Sequence, residues 1–182
     1  MTHQVHLSIP ESLAEEARKL HAPTPEERME AVIAWSEENV KRGEGPFAAG
    51  VFQLDTGQCV AAGVNCVLSS GFSIAHAEIM AILMAQTEIG SVDLSRNGPM
   101  VITSSAQPCS QCMGAIPWTG LSCLEYGADR ETVQAIGFDE GPCPENWKQE
   151  YKQRGIEVIG PLLQDKAAEV IRSYADQHGS IY

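Results

Sequence analysis

Two short motifs constrain this chain more than any other feature: Ala75-His76-Ala77-Glu78 and Gln107-Pro108-Cys109-Ser110-Gln111-Cys112. The first sets an imidazole and a carboxylate two residues apart. The second sets two thiols one helical turn apart, behind a proline. His76, Cys109 and Cys112 are three ligands of the kind zinc takes, and Glu78 is left over as a proton carrier beside them. Each motif follows a loop and opens a predicted helix. A helix N-terminus carries free N–H groups and partial positive charge, which favour thiolate over thiol. Cys109 and Cys112 share one helical face, so both sulfurs can reach one ion. The fold must therefore bring two helix starts together.

Two plainer readings compete. A redox C-x-x-C needs no His-x-Glu partner. A structural zinc site needs a fourth ligand, which Cys66, Cys123 or Cys143 could supply. Neither accounts for a glutamate at this offset or for the proline. Met80 and Met84 follow the apolar face of their helix and read as core filler. His3, His6 and His21 read as solvated.

Charge limits the partners. The chain of 182 residues has a net charge of −12, and its 12 basic residues never cluster beyond pairs such as Lys41-Arg42. A nucleic-acid surface would want clustered Lys and Arg, so no nucleic acid is expected and a small neutral substrate fits better. No run of about 18 apolar residues predicts a membrane span. The first residues have neither a basic head nor a long apolar stretch, so the expected location is cytoplasmic.

Periodicity predicts an N-terminal helix over 10–21, and a second helix opened by Thr24-Pro25-Glu26-Glu27, a capping box with proline at the first position. Strands are predicted at 47–54 and 58–65, joined by the turn Asp55-Thr56-Gly57 as an antiparallel hairpin. A buried helix runs from His76 to Gly90. A central strand at 99–103, a loop at 104–106 and a helix from Cys109 come next. Then follow a strand at 121–126, helices at 130–136 and 145–153, a strand at 156–159 and a helix at 164–178. Such alternation predicts an α/β three-layer α/β/α sandwich around one mixed five-stranded sheet. The whole chain, 1–182, reads as one domain, with 1–23 as a helical extension and 179–182 as a tail.

The H-x-E and P-C-x-x-C pair is the signature of the zinc deaminases, and the chain resembles the cytidine/deoxycytidylate deaminase superfamily over roughly residues 25–160. Within it, the chain is most similar to bacterial guanine deaminases. The likeness is carried by Gly45-Pro46-Phe47, by Asn65 after the second strand, and by Cys112-Met113-Gly114-Ala115-Ile116-Pro117-Trp118. Ala135-Ile136-Gly137-Phe138-Asp139-Glu140 and the final Tyr182 add to it. Gln107 stands where the family has glutamate, and Glu140 where it has a second aspartate.

The resemblance implies a cytidine deaminase-like fold and a zinc-dependent hydrolase that converts guanine to xanthine and ammonia. It implies one zinc ion per subunit, held by His76, Cys109 and Cys112. Glu78 would carry the proton, and Glu140 would bind the base and help the amine leave. Asn65, Phe47, Trp118, Ala77 and Tyr182 would contact the substrate. It further implies a homodimer in which the C-terminal segment closes over the active site of its own or the neighbouring subunit. Guanosine, cytosine, an aminotriazine such as ammeline, or tRNA adenosine remain alternative substrates. A zinc-stabilised binding domain is the non-enzymatic alternative.

Overall fold

The first helices and strands are α1 (Glu11–Lys19), α2 (Pro25–Lys41), β1 (Ala48–Gln53), β2 (Cys59–Val64), α3 (Val67–Ser70) and α4 (Ala77–Ile89). They are followed by β3 (Met100–Ala106), α5 (Ser110–Ala115), β4 (Cys123–Ala128), α6 (Arg130–Ala135), α7 (Trp147–Gln153), β5 (Glu157–Ile159) and α8 (Gln164–Asp176). These elements come from a computed structural model that describes residues 4–182.

The five strands form one mixed sheet in the order β2-β1-β3-β4-β5. β1 runs antiparallel to β2 and β3, whereas β3, β4 and β5 are parallel. Strand alternation divides the core in two. Phe52 and Val101 join Leu13, Met29, Val32 and Ile171 on the face covered by α1, α2 and α8. Val51, Ile102 and Leu124 join Ile82, Ala85 and Trp147 on the opposite face, under α4, α5 and α7. The three-layer arrangement is thus the one the alternation of elements predicts.

Local signals hold where they are strongest. Thr24 Oγ1 accepts from the Glu27 amide at 3.2 Å while Glu27 Oε2 accepts from the Thr24 amide at 2.9 Å, so the capping box forms in full. Gly57 closes the β1–β2 turn at a φ of +73°, a left-handed conformation that suits glycine. The predicted loop at 104–106 is corrected: β3 continues through Ala106. The serines there look like loop formers, but in the folded chain each hydroxyl finds a buried partner, Glu78 of α4 for Ser104 and the Ala48 amide of β1 for Ser105. α3 and the 3-10 turns at Leu94–Asn97 and Ile116–Trp118 were not predicted. His6 and His21 are exposed, as read, while His3 lies outside the described residues. Among the described residues, no helix is long and apolar enough to cross a membrane.

One buried ion pair binds the layers. Arg28 donates from Nη2 to Glu125 Oε1 at 2.6 Å and from Nε to Oε2 at 3.0 Å. Its Nη1 donates to the carbonyls of Ala22 and Pro23, and Thr103 Oγ1 donates to Glu125 Oε2 at 2.6 Å. The pair therefore fixes the α1–α2 connection, α2, β3 and β4 at one point. Removing one partner of such a pair leaves a buried charge without compensation, which costs about 3–5 kcal/mol. Arg28→Met should lose that much stability in urea unfolding. The double variant Arg28→Met/Glu125→Leu should recover most of it, because neither charge is then buried.

Candidate active site

His76 and Cys109 are the N-cap residues of α4 and α5, both with extended backbone, and neither uses its side chain to cap its helix. Those side chains are spared for each other: Cys109 Sγ lies 3.4 Å from His76 Nδ1. Gly63 on β2 makes the approach possible, because a Cβ there would run into the backbone of Ala77 and Ala81. α4 consequently lies directly on the sheet, with His76 at its end. Cys112 follows one turn into α5 and is fully buried. The ligand atoms of His76, Cys109 and Cys112 lie within 4.8 Å of one another, and among the described residues neither Cys66, Cys123 nor Cys143 joins the group. An imidazole and two thiols so placed are positioned to hold a metal ion, and the donor set suits zinc.

The electrostatics of the group favour a cation. The adjoining Cys112 side chain, with help from His76, outweighs burial and brings Cys109 down to about 4. Cys112 is correspondingly pushed up by Cys109 and by burial. Burial alone would lower His76, but its hydrogen bond to Cys109 and the negative charge of Glu78 raise it on balance. Glu78 is 6% exposed. Its Oε1 accepts from Ser104 Oγ at 3.1 Å, and its Oε2 faces Cys112 Sγ at 3.3 Å. Burial and the Cys109 charge push its carboxyl up, with His76 opposing.

Glu140 enters from a separate loop and is 8% exposed. Burial, then the charges of Cys109 and Glu78, raise it to about 8 against the pull of Arg130. The loop is pinned from both sides. Ser110 donates from its amide to the Glu140 carbonyl at 3.0 Å and from Oγ to the carbonyls of Glu140 and Pro142. Arg130 Nη2 donates to the Gly141 carbonyl. Gly141 sits at a φ of +68°, where a Cβ would meet Ser110 Oγ, and its amide donates to Asp139 Oδ1 at 2.8 Å, closing a local turn. Neither Ser110 nor Arg130 was singled out from the sequence.

Between the two carboxyls lies a small cavity, reached also by Ala77 and Gln107. Asn65 Oδ1 accepts from the Val67 amide at 3.1 Å, which leaves the Asn65 Nδ2 as the group offered to a ligand. Asn39, buried in α2, holds the Asn65 and Gly45 carbonyls at 3.0 and 2.9 Å. Phe47 and Phe138 wall the cavity with ring centroids 5.1 Å apart, edge to face, and Tyr182 packs on Phe138 at 5.2 Å. The Tyr182 hydroxyl reaches Gly45, which has no side chain to obstruct it.

Within one chain Trp118, expected at the substrate, stands apart from this cavity. It is 85% exposed and lines a different groove, with Pro117, Met113 and Trp147. Ile116 anchors the short 3-10 turn in the core, and two residues later the same turn points Trp118 outward. Phe138, not singled out from the sequence as a substrate contact, stands beside Phe47 in the wall. Its place two residues before Glu140 was the available signal.

Residues 23–128 match the cytidine and deoxycytidylate deaminase zinc-binding region. The chain belongs to that family. It is 33% identical to the guanine deaminase of Bacillus subtilis over 96 residues, covering 53% of this chain but only 58% of that protein. It is 39% identical to the crystallised guanine deaminase of Nitrosomonas europaea, with 97% of this chain and 98% of that one covered at a TM-score of 0.91. It is also 40% identical to a mutant of the protein NE0047 crystallised with 8-azaguanine, again at a TM-score of 0.91, over 96% of this chain and 98% of that one.

Glu140 gives the site a pH signature. In the metal-free folded chain it keeps its proton up to about pH 8, against an ordinary value of 4.5. Folding therefore takes up a proton in that window, and the stability Glu140 contributes falls as pH rises from about 4.5 to about 8. Glu140→Gln keeps the shape without the charge. Its melting-temperature advantage over the native metal-free protein should widen across that interval; a constant difference would contradict the assignment.

Proposed function

We propose that this protein is a guanine deaminase, removing the 2-amino group of the free base by hydrolysis to give xanthine and ammonia. The carrying observation is the convergence of the His76, Cys109 and Cys112 ligand set with two buried carboxyls, Glu78 and Glu140, on one aromatic-walled cavity. Likeness over nearly the whole chain to the Nitrosomonas enzyme supports guanine as the base.

In this reading His76, Cys109 and Cys112 hold one zinc ion. When bound, zinc supplies the Lewis acidity that makes water a nucleophile near neutral pH. Glu78 takes a proton from the attacking water and passes it to the ring nitrogen beside C2. As the new C2–O bond forms and the C2–N bond breaks, Glu140 assists transfer of the second water proton to the departing amine, which leaves as ammonia. A carboxyl held protonated at neutral pH is suited to that donor role. Asn65 donates from Nδ2 to an acceptor on the base. Phe47 and Phe138, packed edge to face, form one aromatic wall against its flat surface, with Ala77 backing it.

The proposal extends to organisation. Residues 1–182 act as one deaminase domain, with 1–23 as an extension and 179–182 as a lid in which Tyr182 excludes water. The protein works in the cytoplasm as a homodimer, whose tails close their own sites or each other's.

Ammonia release from guanine, guanosine, cytosine, adenine and ammeline tests the substrate. Guanine should be turned over best, and inert guanine beside another active base would refute the proposal. Glu78→Gln should retain one zinc per chain by elemental analysis while losing at least ~100-fold in kcat. Full metal with no activity in either protein would favour a zinc-stabilised binding domain. Deleting 180–182 should slow turnover without removing metal, and an unchanged rate would reject the lid.

A further inference from the structure

β3 carries three consecutive hydroxyls, Thr103, Ser104 and Ser105, each at most 3% exposed. A hydroxyl buried in a sheet core is costly unless it is bonded, so each needs a reason to be there. Thr103 and Ser105 point to the face under α2. There Thr103 donates to Glu125, and Ser105 Oγ accepts from the Ala48 amide at 3.1 Å. Ser104 points to the other face, where its neighbours along the strand, Met100 and Ile102, are apolar. Its hydroxyl donates to Glu78 Oε1.

We propose that Ser104 is a positioning residue for Glu78, fixing the orientation of the carboxyl that carries the proton. The inference rests on the role given to Glu78 above. The last torsion of a glutamate is broad and nearly two-fold, so a carboxyl does not orient itself. A single donor on Oε1 breaks that symmetry and leaves Oε2 turned toward the metal-ligand side, 3.3 Å from Cys112 Sγ. The donor itself cannot drift. Ser104 is paired with Ala49 on β1 and Tyr126 on β4, in the middle of the sheet. A rigid strand thereby sets the angle of a group carried on the first turn of α4.

Ser104→Ala, Ser104→Thr and Ser105→Ala test this. Ser104→Ala should keep one zinc per chain and a KM within about two-fold while kcat falls about 10- to 100-fold, the scale of loss expected when a reacting group is misplaced by an ångström or less. Ser104→Thr retains the hydroxyl and should recover most of kcat. Ser105→Ala loses a buried hydrogen bond on the opposite face, so it should lose comparable stability and keep kcat. Crystal structures of the zinc-loaded native protein and of Ser104→Ala, both without substrate, add a readout independent of turnover. Glu78 should hold one orientation in the first and a changed or divided one in the second.

If the native protein turns over guanine and Ser104→Ala keeps kcat within two-fold, the positioning role is overturned and the guanine assignment stands. If guanine is inert, that assignment fails by itself. An unmoved Glu78 in the Ser104→Ala crystal then overturns the positioning role separately. Should Ser104→Ala fail to fold, Ser104→Cys, a similar shape with a weaker donor, takes its place with the same expected losses.

Discussion

The contact between His76 and Cys109 is the point on which the rest of the structure depends. Two helices start there, and neither starting residue spends its side chain on capping. The usual gain from an N-cap, about 1 kcal/mol, is forgone at both helices. Other features compensate by pressing the helix starts together: the bare Gly63 beneath α4, the Ser110 bonds across to the Glu140 loop, and Arg130 behind that loop. The site is assembled from helix ends because that is where side chains can face each other across a sheet edge.

Three buried glutamates show how the same side chain is put to different uses. Glu125 meets a bidentate guanidinium and a hydroxyl, so its charge is matched and it serves as a fastener. Glu78 and Glu140 are buried without a directly paired cation, and burial together with the neighbouring thiolate pushes both carboxyls up. Glu140, raised to about 8, retains a proton near neutral pH and can give it away, which a paired carboxyl cannot. Glu78 on α4 and Glu140 on the 138–141 loop thus line one cavity. Asn65, with its carbonyl occupied by Val67, contributes a donor to the same cavity.

Much of this was legible in the chain. The capping box at Thr24, the hairpin turn at Gly57 and the strand-helix alternation are local signals, and they held because no tertiary contact opposes them. The ligand set was legible because metal chemistry restricts residue type and spacing so strongly. Trp118 lies apart from the cavity within one chain because a motif gives sequence adjacency, not direction, and a short 3-10 turn leaves its side chain facing outward. The serines of β3 were misread because isolated serines favour loops, whereas their hydroxyls are satisfied here by residues distant in sequence.

By itself, then, the sequence determined the layer architecture, the three ligand residues and the glutamate beside them, since periodicity and ligand spacing are properties of neighbouring residues. Only the tertiary structure decided the Arg28–Glu125 fastener, the place of Phe138 in the cavity wall, and the Ser104 bond to Glu78. Each of these joins residues far apart in the chain. Whether a polar side chain lies in water or against a buried partner is settled by what the completed fold places opposite it, because the cost of burial depends on that partner and not on the residue's neighbours in sequence.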